Sequence, residues 1–221
     1  MRALAKLTLS LRITGVRDDG YHLIDAEMVT LDLADEISFA DGGTNRLPAD
    51  DLVSRALEAV GRDVEVWLTK RIRPGAGLGG GSADAAAVLR WAGVDDLELA
   101  ASLGADVPFC LVGGRARVRG IGEIIEPLPF EDRVFTLLTP TFGVSTPAVY
   151  AKWDEMGGPT ADGPNDLEPA ALAVEPRLAE WRDRLGDATG LTPQLAGSGS
   201  TWFVEGDFPS RGRVVTRTDR P

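Results

Sequence analysis

The cleanest alternation of apolar and polar positions comes first in the chain. Across residues 4–14, Leu7, Leu9, Leu11 and Ile13 take every second position, with Lys6, Thr8, Ser10 and Arg12 between them. A period of two predicts a β-strand with one apolar face, on whose other face Lys6 and Thr8 lie about 7 Å apart. Gly15 and Asp18-Asp19-Gly20 supply a turn, and residues 25–33 and 36–39 again read as strands, so the N-terminal third predicts a β-meander or hairpin stack. After Asp41-Gly42-Gly43 the period changes. Over residues 48–60, Val53, Ala56, Leu57 and Val60 fall on one helical stripe, closed by Gly61. Residues 63–69 alternate as a half-exposed strand, and residues 82–92 predict an alanine-rich helix with a small face at Ala83, Ala86 and Ala87. A short helix capped by Asp95 or Asp96 runs to Leu103, and residues 115–119 and 123–128 alternate as strands.

From about Pro129 the character shifts. Residues 134–139 predict a buried strand, and Thr146-Pro147 opens a helix carrying Tyr150 and Trp153. Helical segments follow at 166–173 and 176–186, the second with Leu178, Trp181 and Leu185 on one stripe. Residues 194–196 and 201–204 are short strands flanking a Gly197-Ser198-Gly199-Ser200 turn. The polar tail from Glu205 predicts a frayed end.

Composition narrows the partners. With 221 residues, 43% apolar and 26% charged, the chain can bury a core as one large domain or two small ones. Its net charge of -11 argues against nucleic-acid or anionic-membrane surfaces, yet a small anion needs only a local positive pocket. A single cysteine, Cys110, rules out an internal disulfide framework and fits a reducing compartment. One cysteine and one histidine leave too few ligands for a His/Cys zinc site. No secretory apolar segment and no run of about twenty apolar residues appears, so the expected location is the cytoplasm.

The candidate chemistry centres on residues 74–87. Five of the seven residues 75–81 are glycine, a density that predicts no regular element, and Ser82-Ala83-Asp84-Ala85-Ala86-Ala87 then starts a strong helix. A loop feeding a helix N-terminus offers unpaired N–H groups and the positive end of the dipole to a phosphate. A flexible linker is the plain alternative. Gly75, Gly80 and Ser82 fit a Walker A loop, but Gly81 stands where its lysine belongs, so that motif is rejected. Gly75, Gly77 and Gly80 also fit the dinucleotide fingerprint, with Asp95 and Asp96 about twenty residues on. Its first strand should be buried on both faces, whereas here a half-exposed strand and the polar hinge at Lys70, Arg71 and Arg73 precede the loop. Three single residues have ordinary readings. A strand lysine such as Lys6 is most often a solvated edge residue, a lone His22 is more often structural, and Asp106 before Pro108 reads as a helix N-cap.

Taken together and in order, Ala5-Lys6-Leu7, Asp19-Gly20-Tyr21-His22, residues 74–87, Gly104-Ala105-Asp106-Val107-Pro108 and Gly197-Ser198-Gly199-Ser200 resemble the GHMP kinase superfamily, over residues 5–204. The Asp-Gly-Tyr-His and Gly-Ala-Asp-Val-Pro segments are most similar to its kinases of 4-diphosphocytidyl-2-C-methyl-D-erythritol, in the non-mevalonate isoprenoid pathway. Asn165-Asp166-Leu167-Glu168-Pro169 also looks like their Asn-Asp-x-Glu segment. The resemblance implies an α+β chain of two domains with ligands in the cleft between them. Residues 1–129 would form an ATP-binding domain like ribosomal protein S5 domain 2, and residues 130–221 a shortened ferredoxin-like domain. It implies transfer of a phosphoryl group from ATP, with Mg²⁺, to the 2-hydroxyl of the cytidyl substrate. Lys6 and Asp106 would be catalytic. Pro74, Gly75, Ala76, Gly77, Leu78, Gly79, Gly80, Gly81 and Ser82 would bind ATP; Thr8, Tyr21, His22, Tyr150, Gly197 and Ser198 would bind substrate. Mg²⁺ would ride mainly on ATP, with Ser82 its one protein candidate. The implied partners are these small molecules, without nucleic acid or membrane, for a monomer or weak homodimer. Another small alcohol, such as homoserine or a mevalonate-type acid, or a nucleotide-binding module without turnover, are the competing readings. Thr8 and Asp51 stand where asparagines are usual and Ala196 where serine is frequent, and the chain after Val204 lacks room for the usual closing helix.

Overall fold

Two antiparallel sheets share the chain in the computed structural model, which describes residues 1–221. The first is built from β1 (Arg2–Val16), β2 (His22–Ala40), β3 (Glu65–Thr69), β4 (Arg115–Gly120) and β5 (Ile124–Pro127). Its order is β1-β2-β4-β5, with β3 paired to the far end of β2. Helices α1 (Leu52–Ala59), α2 (Gly80–Trp91), α3 (Leu97–Leu103) and α4 (Val107–Val112) fall between β2 and β4 in sequence. The second sheet has the order β7-β8-β6-β9, from β6 (Val134–Leu138), β7 (Gln194–Leu195), β8 (Trp202–Glu205) and β9 (Val214–Arg217). Helices α5 (Thr146–Glu155), α6 (Glu168–Val174) and α7 (Leu178–Thr189) connect β6 to β7. No helix is long and apolar enough to cross a membrane.

Three local expectations are corrected. Residues 25–33 and 36–39 form one continuous strand, because Ala34 and Asp35 stay paired with Leu4 and Ala3. The Asp35 carboxylate, fully buried, accepts from the N–H groups of Arg71 and Ile72, so the polar break predicted there is a buried anchor instead. The tail from Glu205 is not frayed. Residues 206–213 cross over β6 without a helix, and β9 then pairs with β6 while Thr218 bridges to Leu31 of β2.

The third correction concerns the faces of β1. Thr8 pairs with Met28 but Ser10 pairs with Glu27, so one extra residue, Leu9, is accommodated on β1 as a bulge. A one-residue slip exchanges the two faces of a strand. Leu11, opposite Ala26, and Ile13, opposite Ile24, therefore share the face of Lys6 and Thr8 rather than that of Leu7. Leu7 packs instead with Val29, Leu31, Phe135, Leu137 and Phe203, a cluster drawn from both sheets that joins them.

Helix α2 lies against β1, α1 and α4, with Ala83, Ala85, Ala86 and Ala87 all fully buried. Side chains this small let the helix backbone approach its neighbours closely. The helix begins at Gly80, so two of the glycines predicted to be loop are helical, and the N-cap is Gly79 at φ +66°. The loop before it is pinned from several sides. Leu78 O accepts from Lys6 N at 3.0 Å and Ala76 O from Thr201 N at 3.0 Å. The Lys70 ammonium pairs with both Asp35 and, at 2.5 Å, Asp84. Asp84, in the second turn of α2, is 2% exposed and its Oδ1 has no hydrogen-bond partner. Burial pushes its carboxyl up to about 7, against the pull of Lys70.

Two predictions follow from this anchoring. A Cβ at Gly77, where φ is +78°, would stand 2.4 Å from Ala196 O and 2.7 Å from Gly199 O. Urea unfolding of Gly77→Ala should show a loss of about 2 kcal/mol or more, whereas Gly81→Ala, at an ordinary φ and 3.4 Å from Leu52 Cδ1, should stay within about 0.5 kcal/mol. Asp84 has a folded pKa raised above its unfolded value, so its contribution to stability is complete below pH about 4 and is lost as pH rises toward 7. Asp84→Asn lacks that titration. Its stability relative to the wild type should therefore rise between pH 5 and pH 8, by about 1–3 kcal/mol in paired urea melts.

Candidate active site

One cavity of about 720 Å³ opens where the glycine loop, the Lys6 face of β1, the turn into β2, the start of α4, α5 and the 197–198 turn converge. Every residue singled out above for catalysis, ATP or substrate lines it: Lys6, Thr8, Tyr21, His22, the stretch from Pro74 to Ser82, Asp106, Tyr150, Gly197 and Ser198. The β1 bulge has brought Leu11 to the same wall.

At the centre sits Lys6. It is 5% exposed, so the solvated-edge reading fails. A buried ammonium is costly without partners. Its Nζ lies 3.3 Å from the Asp106 carboxylate and donates to Thr8 Oγ1 at 3.0 Å. The glycine loop holds its stem, since a Cβ at Gly79 would come within 2.7 Å of Lys6 Cγ. The capping reading of Asp106 is corrected too. Asp106 occupies the N-cap position of α4, with Pro108 in the first turn, but its side chain makes no capping bond. One third exposed, it faces Lys6 and the cavity instead.

To one side lies the loop. Its carbonyls at Gly75, Ala76 and Leu78 are taken by backbone donors, whereas the N–H groups of Gly77, Leu78 and Gly79 have no acceptor within the protein. The first N–H groups of α2 add to them, at the positive end of its dipole. Ser82, at the mouth of that helix, has a hydroxyl without a protein partner. Arg73 also lines the cavity, with its guanidinium tied to Pro140 O. In a chain of net charge -11, the charged side chains of this cavity balance, Lys6 and Arg73 against Asp106 and Asp154, so the positive potential an anionic ligand needs comes from the free loop N–H groups and the start of α2. Asp51, by contrast, is engaged locally: its carboxylate accepts from Val53 N at 2.8 Å and caps α1.

On the other side lie Tyr21, 59% exposed, and His22, which packs against α5. The His22 ring centroid is 4.7 Å from that of Tyr150, and its Nε2 is 2.8 Å from Asp154 Oδ1. Burial pushes the Tyr150 phenol up from its usual range. Ser198 shares a 2.7 Å hydrogen bond with Thr146, the first residue of α5. Asn165 stands behind the turn, fully engaged: its amide donates to Leu195 O and Gly197 O, and its carbonyl accepts from Leu167 N. Sequence reasoning noted Asn165 only through the family segment, and it missed Asp154 and Arg73. For Asp154 a signal existed, since it lies four residues beyond Tyr150 on a helix already predicted.

Residues 51–114 match the GHMP kinases N terminal domain. The 4-diphosphocytidyl-2-C-methyl-D-erythritol kinase of Paracoccus denitrificans is 39% identical, over 91% of this chain and 84% of its own. The enzyme of the same name from Ruegeria pomeroyi is also 39% identical, over 95% and 88%. A crystal structure of 4-(cytidine 5'-diphospho)-2C-methyl-D-erythritol kinase superposes with a TM-score of 0.82 at 33% identity, covering 99% of both chains. By sequence and by fold, the chain belongs to the 4-diphosphocytidyl-2-C-methyl-D-erythritol kinase family of GHMP kinases.

Proposed function

We propose that the chain transfers the γ-phosphoryl group of ATP to the 2-hydroxyl of 4-diphosphocytidyl-2-C-methyl-D-erythritol, a step of isopentenyl diphosphate biosynthesis. The observation that carries this reading is the position of the Lys6–Asp106 pair, midway along one cavity between a phosphate-type loop and an aromatic corner. The loop N–H groups from Gly77 to Gly79 and the start of α2 hold the ATP phosphates, and Tyr21 stacks on the cytosine at the other end.

Phosphoryl transfer asks little covalent chemistry of the protein beyond positioning and charge neutralisation. Asp106 accepts the proton of the substrate 2-hydroxyl as its oxygen bonds to the γ-phosphorus, and the bond from that phosphorus to the β–γ bridging oxygen breaks to release ADP. Lys6 orients the Asp106 carboxylate and neutralises charge on the transferring group. Thr8 keeps the Lys6 ammonium aimed. No group of three or more carboxylate, His or Cys side chains converges to cage a metal. The unpaired loop N–H groups would hold the ATP phosphates, the Ser82 hydroxyl is the one protein oxygen there that would meet a Mg²⁺ delivered on ATP, and the ion would supply charge neutralisation. Homoserine or a mevalonate-type acid would leave the Tyr21–His22 corner without a partner, which favours the cytidyl substrate. We place this reaction in a cytoplasmic monomer or weak homodimer.

Coupled ADP release, run against a panel of cytidyl and simple alcohols, tests the reading. Asp106→Asn should lower kcat on the cytidyl substrate by about 10²-fold or more, with ATP binding kept within a few-fold. Near-wild-type turnover by that variant would remove Asp106 from the proton transfer. Tyr21→Ala should raise KM for the cytidyl substrate about tenfold, in line with the loss of one stacking contact, and leave KM for ATP unchanged. Equal effects on both KM values would place Tyr21 elsewhere than at the cytosine.

A further inference from the structure

His22 is the only histidine in the chain, and its surroundings fix more than an aromatic wall requires. It comes from the turn into β2, whereas Tyr150, Trp153 and Asp154 come from one face of α5, at spacings of three and four residues. The imidazole lies 4.7 Å from the Tyr150 ring and, edge-on, 5.5 Å from the Trp153 ring. Trp153 is itself held by its Nε1 donating to Pro159 O at 2.9 Å. The ring plane of His22 is thus set by packing, and Asp154 Oδ1 then meets Nε2 at 2.8 Å.

A carboxylate only accepts hydrogen bonds. A neutral imidazole facing one carries its hydrogen on the nearer nitrogen and leaves the other as a bare acceptor. Nδ1 makes no hydrogen bond within the protein, and His22 lines the cavity. We infer that Asp154 is a positioning residue that holds His22 in the Nε2–H tautomer, so that Nδ1 accepts from the 4-amino group of cytosine and the site selects cytidyl over uridyl substrates. This rests on the cytidyl reading above. At the matching position uracil carries a carbonyl oxygen, which offers a fixed acceptor nothing and opposes lone pair to lone pair. A site built around a donor on its ligand rejects the analogue that lacks it, because its own polar group stays unpaired. Without Asp154 the ring is free to take the Nδ1–H tautomer, which suits the uracil carbonyl, and the selection relaxes.

The lone histidine makes the test direct. Imidazole ¹⁵N spectra of the whole protein, at roughly pH 8.5 and about two units above the ordinary imidazole pKa, report one ring. The wild type should show the Nε2–H tautomer and Asp154→Ala a mixture. In steady-state assays the ratio of kcat/KM for the 4-diphosphocytidyl substrate to that for its 4-diphosphouridyl counterpart should fall about tenfold or more in Asp154→Ala. Asp154→Asn, whose amide oxygen still accepts from Nε2–H, should keep most of the wild-type ratio. KM for ATP should stay within about twofold in both variants. An Nδ1–H or doubly protonated ring in the wild type overturns the inference, as does an unchanged ratio in Asp154→Ala. Wild-type protein inactive on the cytidyl substrate would overturn the proposed function instead, and the ligand-free spectra keep the two failures apart.

Discussion

The Lys70 ammonium is the tie on which the rest of the molecule depends. It stands at the hinge between β3 and the glycine loop and pairs with Asp35 in the middle of β2 and with Asp84 in α2. Sheet, loop entry and loop exit are thereby fastened at one point. The glycine loop cannot hold itself in shape, since its residues have more conformational freedom to lose than any others. Its form is imposed from outside by this ion cluster, by the N–H groups of Lys6 and Thr201 on its carbonyls, and by the backbone at 196–199 pressing on Gly77. Two buried carboxylates around a single ammonium do not make a cheap arrangement, and the orphaned Asp84 Oδ1 is where the cost shows. What the cluster provides is a unique geometry for the segment that meets phosphate.

That geometry also explains how an acidic chain handles anionic ligands. The positive character of the loop end comes from backbone N–H groups left without an acceptor, since Lys6 and Arg73 are offset by Asp106 and Asp154 in the same cavity. Elsewhere on the surface some charges meet in pairs, such as Arg117 with Asp25 and Arg133 with Glu205. The reacting pair sits at the boundary: Lys6 is enclosed, while Asp106, one third exposed, stays reachable.

Most elements were legible because periodicity reports burial, and most of the site because its residues share one family order. Where single-residue reasoning failed, long-range packing had the deciding vote. Lys6 reads as an exposed strand lysine, and only the approach of Gly79 and Asp106, from segments more than 70 residues away, encloses it. Asp106 has the sequence context of a cap, and Lys6 draws the carboxylate away from that task. The tail after Glu205 looks polar because a strand paired along β6 needs few apolar side chains of its own. Asp35 and Asp84 look like solvent-facing acids until Lys70 is placed between them.

The extra residue at Leu9 changes what kinds of variation β1 can absorb. Upstream of it the cavity face carries Lys6 and Thr8; downstream, the same face carries Leu11 and Ile13. A side-chain exchange at Leu9 alters one half-buried contact. Removing that residue would straighten the ladder and leave Leu11 and Ile13 opposite Ala26 and Ile24, on the face they already share with Thr8, whereas pairing Leu9 in regular register would turn both to the opposite side. For this stretch, then, the register with β2 is a stricter inheritance than residue identity: homologous strands can drift in composition or lose the extra residue, but a strand that took Leu9 into the ladder would rewrite the wall of the cavity in one step.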